Sequence, residues 1–159
     1  MQVNIALLTV TDTRNIDTDK SGAILVKKIS ENKHKLIDRQ IVKDEKKQIL
    51  NVLSNWIKND DLDIIITTGG TGLTGRDITP EAIKEIADKE IPGFGELFRE
   101  LSYKTVGTSA MQSRACAVVC NGKYIFSLPG SSGGVTDAWE GILKYQLDIN
   151  HKPCNFVEL

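Results

Sequence analysis

The sequence predicts an α/β protein: a single three-layer α/β/α domain over residues 1–159, built on a mixed, mainly parallel sheet. Three observations carry this reading. Apolar β-branched runs alternate with amphipathic helical patterns through most of the chain, the signature of β-α-β crossovers. Two of those runs break into glycine-rich turns ahead of a helix. An Asn121-Gly122 pair between two further runs marks a type I′ hairpin, so at least one strand is antiparallel.

In chain order, Val3 to Val10 is apolar enough for a central strand, and Ser21 to Asn32 sets Ala23, Leu25, Val26 and Ile29 at helical spacing among lysines. Between them, Thr11 to Lys20 is a polar loop past the strand's C-terminal end, on the rim where open α/β sheets take ligands. Lys35 to Val42 reads as the second strand. Glu45 to Lys58 reads as a helix with Ile49, Leu50, Leu53, Trp56 and Ile57 inward. Asp44, at the junction, is by position a helix N-cap; its other reading is a carboxylate on the ligand rim. The third run, Ile64-Ile-Ile66, opens into Gly69, Gly70, Gly72 and Gly75. Thr79 and Pro80 then signal a hydroxyl N-cap with proline at the first helical position.

Pro80 to Lys89 places Ala82, Ile83, Ile86 and Ala87 inward. A second helical stretch from Gly93 carries Phe94, Leu97, Phe98 and Leu101, so a helical pair stands beside the glycine loop. Ala115 to Val119 and Tyr124 to Leu128 form the hairpin. Leu128-Pro-Gly-Ser-Ser-Gly-Gly134 supplies the second glycine turn before a helix from about Val135 to Leu147, with Ala138, Trp139, Ile142, Leu143 and Leu147 inward.

Composition removes several classes. A net charge of −1 gives no electrostatic footprint for nucleic acid, and no apolar stretch is long enough to span a bilayer. The apolar N-terminus is short and lacks a basic leader, so it reads as a strand in a cytoplasmic protein. Cys116, Cys120 and Cys154 have no CxxC spacing and His34 and His151 stand far apart, which indicates neither a zinc site nor a disulfide framework. Cys116 and Cys120 read as small hydrophobes on one strand face, and the two histidines as solvated surface residues.

Gly70, Gly72 and Gly75 formally match G-x-G-x-x-G, but that fingerprint belongs to the first strand-to-helix turn, and here Arg76-Asp-Ile-Thr79 intervenes before the helix. Gly70 and Gly75 have P-loop spacing, yet Arg76-Asp77 stands where Lys-Ser/Thr is required. A dinucleotide-dependent oxidoreductase is therefore disfavoured. What remains is a loop whose backbone N–H groups, helped by the Thr67, Thr68 and Thr71 hydroxyls and a nearby helix N-terminus, suit a phosphorylated or carboxylated ligand. Asp77 would repel such a ligand unless a cation lay between them, and Mg²⁺ is the natural mediator. The bland reading of Asp77 is a turn residue that pairs with Arg76 or holds the loop through an Asx hydrogen bond.

The ordered set Thr67-Thr-Gly-Gly-Thr-Gly72, Arg76-Asp77, Thr79-Pro-Glu-Ala82, Ser113-Arg-Ala115 and Leu128-Pro-Gly-Ser131 resembles the MoaB/MogA family of molybdenum cofactor biosynthesis proteins over nearly the whole chain. Phe94-Gly-Glu96, Gly107-Thr-Ser109, Ala138-Trp-Glu140 and Lys152-Pro-Cys-Asn-Phe156 are more similar to the MoaB branch. The resemblance implies a molybdopterin-binding fold that self-associates, as trimers in MogA-like and often hexamers in MoaB-like members. It implies adenylylation of molybdopterin by Mg-ATP with release of pyrophosphate, and contact with other proteins of the pathway. By matching position, Asp77 would work with Mg²⁺ and Asp44 would be the second functional carboxylate. Thr68, Gly69, Gly70, Thr71, Gly72, Pro129, Gly130 and Ser131 would bind the pterin and its phosphate. Some MoaB-like proteins lack the first carboxylate; this chain retains both, and an active enzyme is expected. The alternative is a non-catalytic molybdopterin-binding or scaffold protein of the same pathway. Ser132-Gly-Gly134 departs from relatives that carry proline or threonine and a bulkier continuation, which puts the pterin contacts of the second loop in question.

Overall fold

The computed structural model describes residues 1–158. Six strands form one sheet in the order β2-β1-β3-β6-β5-β4. They are β1 (Asn4–Val10), β2 (Lys35–Val42), β3 (Ile64–Thr68), β4 (Lys89–Glu90), β5 (Cys116–Cys120) and β6 (Lys123–Leu128). β1 pairs in parallel with β2 and β3, and β3 with β6; β5 is antiparallel to both β6 and β4. The hairpin is where the Asn-Gly pair puts it. Asn121 and Gly122 adopt φ of 49° and 73°, the two positive values a type I′ turn needs.

Helices cover both faces, as buried parallel strands require. On one face, α1 (Lys20–Glu31), α4 (Pro92–Val106) and α5 (Ser132–Ala138) pack through Leu25, Ile29, Phe94, Phe98, Val135 and Trp139 onto Ile5, Leu7, Ile64, Ile66, Phe126 and Leu128. On the other, α2 (Lys46–Trp56) and α3 (Thr79–Ile86) pack Ile49, Leu53, Trp56, Ala82 and Ile83 onto Ala6, Leu8, Ile65 and Ile125. The strict alternation along β1 and β3 between the two clusters follows from the two-residue period of the strand.

Several local expectations need correction. The helix after the glycine loop ends at Ile86, because Ala87 turns extended and Lys89–Glu90 add a short edge strand beside β5. Position 79 is not the cap: Ile78 occupies it without a side-chain bond, and Thr79 is already helical. Nor does Asp44 cap α2; Glu45 holds that position with no side-chain bond. α4 runs on to Val106 and continues as a 3₁₀ segment, Gly107–Gln112. After α5 the helix passes through a π segment, Trp139–Leu143, before a last turn, Lys144–Gln146. His34 is half-buried rather than solvated: its Nδ1 accepts the Val3 N–H at 3.3 Å and its ring meets the Trp139 edge at 6.4 Å. Burial holds its pKa below the usual imidazole value. His151 likewise packs on Tyr145, with ring centroids 5.6 Å apart.

Candidate functional site

β1 leads through α1 to β2 on one side, and β2 leads through α2 back past β1 to β3 on the other, so the sheet reverses its direction of build between β1 and β3. Open α/β sheets bind ligands beyond the strand C-termini at such a point. A cavity of about 540 Å³ lies there. Asp44, Thr68, Gly69, Gly70, Thr71, Gly72, Asp77, Pro129, Gly130 and Ser131 all line it, together with Thr9, Thr11, Arg14 and Ser113. The structure thus brings every sequence-predicted site residue onto one wall system, drawn from the ends of β1, β2, β3 and β6.

The glycine loop is shaped from below. Gly69 has φ of 97°, and a Cβ there would stand 2.1 Å from the Val10 carbonyl oxygen, so the loop's first turn requires glycine for conformation and for space. Its N–H donates to Leu128 O at 3.0 Å, and the Thr68 hydroxyl donates to Pro129 O at 2.7 Å, which ties the first glycine turn to the second. Gly70, with φ of 68°, lies over the Thr79 hydroxyl, which is fully buried and has no hydrogen-bond partner. Arg114 closes the loop from the other side. Its backbone N–H donates to Thr71 O at 3.1 Å, Nε to Gly72 O at 2.7 Å and Nη2 to Asp77 O at 3.0 Å, while Nη1 pairs with Glu81.

The two carboxylates differ in setting. Asp77 Oδ2 accepts the Thr74 N–H at 2.9 Å and the Thr74 hydroxyl at 2.7 Å. Partial burial works against the charged form, but these bonds, the Gly72 N–H and the Arg114 charge outweigh it and hold Asp77 below its ordinary pKa. Asp44 is 9% exposed and turns away from its own helix, so that Oδ1 accepts the Ile78 N–H at 3.2 Å. Burial pushes its carboxyl above the ordinary value; Ile78 opposes this, and the charges of Asp77 and Asp12 reinforce it. Arg76 does not pair with Asp77. Its Nε and Nη2 donate to the Asp12 carboxylate at 3.0 and 2.8 Å, and Asp12 Oδ1 also accepts the Asp44 N–H at 3.1 Å.

Sequence reasoning placed the Thr11 to Lys20 loop on this rim but missed what it does. Asp12 anchors Arg76. Asp19 is 1% exposed and accepts from the Gly22 N–H at 3.0 Å, the Thr9 hydroxyl at 2.6 Å and Arg39 at 3.1 Å. Asp19 directly before a helix was a legible cap signal; the pairings with Arg39 and Arg76, 20 and 64 positions away, have no local trace.

Among the described residues no group of three or more metal-ligating side chains gathers. Mg²⁺ in general keeps several waters and is held by one or two carboxylates plus ligand phosphates, so its binding does not require such a group. Asp44 accepts the Ile78 N–H at Oδ1 and keeps Oδ2 open, while Asp77 is shared between Thr74 and the Gly72 N–H.

Fold and cavity together define a switch-point α/β protein whose cavity sets two carboxylates beside two glycine turns. The chain belongs to the MoCF_biosynth family, described as a probable molybdopterin binding domain, which it matches over residues 6–148. It is 45% identical over 152 residues to molybdenum cofactor biosynthesis protein B of Escherichia coli K12, covering 96% of this chain and 89% of that one. Identity to the protein of the same name from Staphylococcus aureus MRSA252 is 50% over 149 residues, covering 92% and 88%. A crystal structure of a molybdenum cofactor biosynthesis protein B superposes with a TM-score of 0.89 at 43% identity, covering 92% of each chain.

Proposed function

We propose that the protein acts in molybdenum cofactor biosynthesis, binding molybdopterin in the switch-point cavity and adenylylating it with Mg-ATP. The observation that supports this reading most directly is the position of Asp44 and Asp77 on one cavity wall, above backbone turns open enough for phosphates. A terminal oxygen of the pterin phosphate attacks the α-phosphorus of ATP. The bond from that phosphorus to the bridging oxygen breaks, pyrophosphate leaves, and a phosphoanhydride joins pterin and AMP. Bound Mg²⁺ would neutralise charge on the nucleotide phosphates, with Asp77 and Asp44 as its protein ligands. The glycine turns and the Thr71 hydroxyl fix the two phosphates in line, and the chain contributes orientation rather than covalent chemistry. Leu97, Tyr103, Val106 and Met111 are exposed along α4 and the 3₁₀ segment, which supports self-association. No helix among the described residues is long and apolar enough to cross a membrane, in keeping with a place in the cytoplasm.

Incubation of purified protein with molybdopterin and Mg-ATP tests the reading. Adenylylated pterin and pyrophosphate in equal amounts are expected. Pterin binding without either product would replace the enzyme by the non-catalytic binding protein.

A further inference from the structure

The cavity is chemically lopsided for a phosphorylated ligand. Its charged lining side chains are Arg14, Asp44 and Asp77, so a phosphate entering meets two carboxylates and one guanidinium. The other arginines near the rim are committed elsewhere: Arg76 is spent on Asp12, and Arg114 on two loop carbonyls and Glu81. Arg14 is exposed, lines the cavity, and among the described residues its guanidinium has neither an ion-pair nor a hydrogen-bond partner. Its backbone is nevertheless fixed. The Thr11 N–H donates to Val42 O at 2.9 Å, and the Thr11 hydroxyl accepts the N–H groups of Thr13 and Arg14, each at 3.3 Å. A free cation on an anchored base, in the lining of a cavity that carries two carboxylates, is arranged to meet an anion.

We propose that Arg14 is the phosphate-binding cation of this cavity. It donates through its guanidinium fork to non-bridging oxygens of a ligand phosphate, in the same cavity as the two aspartates. This rests on the proposed binding of phosphorylated substrates and adds the residue that recognises them. Without Arg14, a phosphate would meet two carboxylates and no cationic side chain of the lining whenever Mg²⁺ is absent. With it, a phosphate can dock before or without the metal. The phosphate is either the nucleotide's polyphosphate tail or the pterin's monoester, and the experiment separates the two.

Calorimetric titration of inorganic pyrophosphate, ATP and molybdopterin into wild type, Arg14→Gln and Arg14→Lys, each at two salt concentrations, tests this. Arg14→Gln should weaken its ligand by about tenfold or more, as expected for loss of a charge-assisted bond, and reduce the salt dependence of binding. Arg14→Lys should recover part of the loss. Thermal melts should coincide, because Arg14 holds no other residue. Loss confined to pyrophosphate and ATP assigns the polyphosphate tail; loss confined to molybdopterin assigns the pterin phosphate. Equal affinity of wild type and Arg14→Gln for all three overturns the proposal and leaves adenylylation standing. A wild type that binds these ligands through Arg14 but forms no adenylylated pterin does the reverse. A wild type that binds none of them overturns both.

Discussion

The two glycine turns that meet in the cavity lining look alike in sequence and are held in different ways. In the first, Gly69 to Gly72, glycine answers to the protein: Gly69 has a positive φ and sits against the Val10 carbonyl, Gly70 sits against Thr79 and Asp44, and Arg114 binds the loop's carbonyls from behind. In the second, Pro129 to Gly134, Pro129 O accepts the Thr68 hydroxyl and Ser131 is the N-cap of α5, its hydroxyl accepting the Gly134 N–H at 3.1 Å, but a Cβ on Gly133 would meet nothing within 4 Å. One turn is fixed by packing and carries Asp77 on its far limb. The other leaves open space at Gly133, one residue into α5 and just beyond the residues that line the cavity.

Gly69→Ala is the severest way to break this contrast. A left-handed alanine driven into the Val10 carbonyl should cost about 3 kcal/mol or more, read as a lowered midpoint in urea unfolding. An unchanged midpoint would show that the first turn is as free as the second. Asp77→Asn keeps acceptors for Thr74 but removes the charge. We expect pyrophosphate release to fall about 100-fold at saturating substrate, with pterin affinity and the melting curve little changed. Arg114→Met strips the backing from the first turn while keeping a long apolar stem. The lost charged hydrogen bonds should destabilise the protein by about 2 kcal/mol, and turnover should fall with stability as Asp77 loses its support.

Asp44 sharpens the contrast through pH. Its folded pKa lies above the ordinary value of 3.8, while that of Asp77 lies below it. The acid limb of Mg²⁺-dependent turnover should therefore report Asp44, activity rising with pH as its proton leaves, and Asp44→Asn should remove that limb. The sign for stability is opposite. Between 3.8 and its raised folded pKa, Asp44 keeps a proton in the native state that the unfolded chain has released, so stability falls as pH rises through that window. Asp44→Asn should then melt slightly above wild type at neutral pH, and the advantage should vanish below pH 3.8. The smallest effect belongs to the second turn. Gly133→Ala places a better helix former in the first turn of α5 and should stabilise by roughly 0.5–1 kcal/mol. A loss of pterin affinity in that stable variant would mean the open space is used by the ligand.

Most of the fold was legible because it is written in local period. β2 has the limits its apolar run gives, the Asn-Gly hairpin forms as its turn chemistry requires, and Leu25, Ile29, Ile49, Leu53 and Trp56 face inward as their 3.6-residue stripe predicts, although Ala23 is exposed and Ser21, Gly22 and Val52 are buried instead. The glycine loop and both carboxylates were legible as candidates because they cluster at strand ends. What could not be read were the partnerships. Asp44 looked like the cap of the helix that follows it and instead serves the chain before α3; Arg76 looked like a partner for its neighbour and reaches Asp12. Thr79 and Asp44 both occupy positions where a cap is usual. The glycine loop folds back across them, and the tertiary contact outweighs the local preference.

The strand order has a consequence for the chain as it is made. β3, with every residue from Ile64 to Thr68 buried, receives its second neighbour only from β6, the last strand in sequence. Until Lys123 to Leu128 has been synthesised, the sheet β2-β1-β3 ends in a bare, apolar, uncharged edge, and the wall of Pro129 to Ser131 is missing as well. A nascent or truncated chain that stops short of β6 therefore offers an aggregation-prone edge and a half-built cavity at the same time. The covered edge and the completed cavity wall arrive together, with β6 and the turn that follows it.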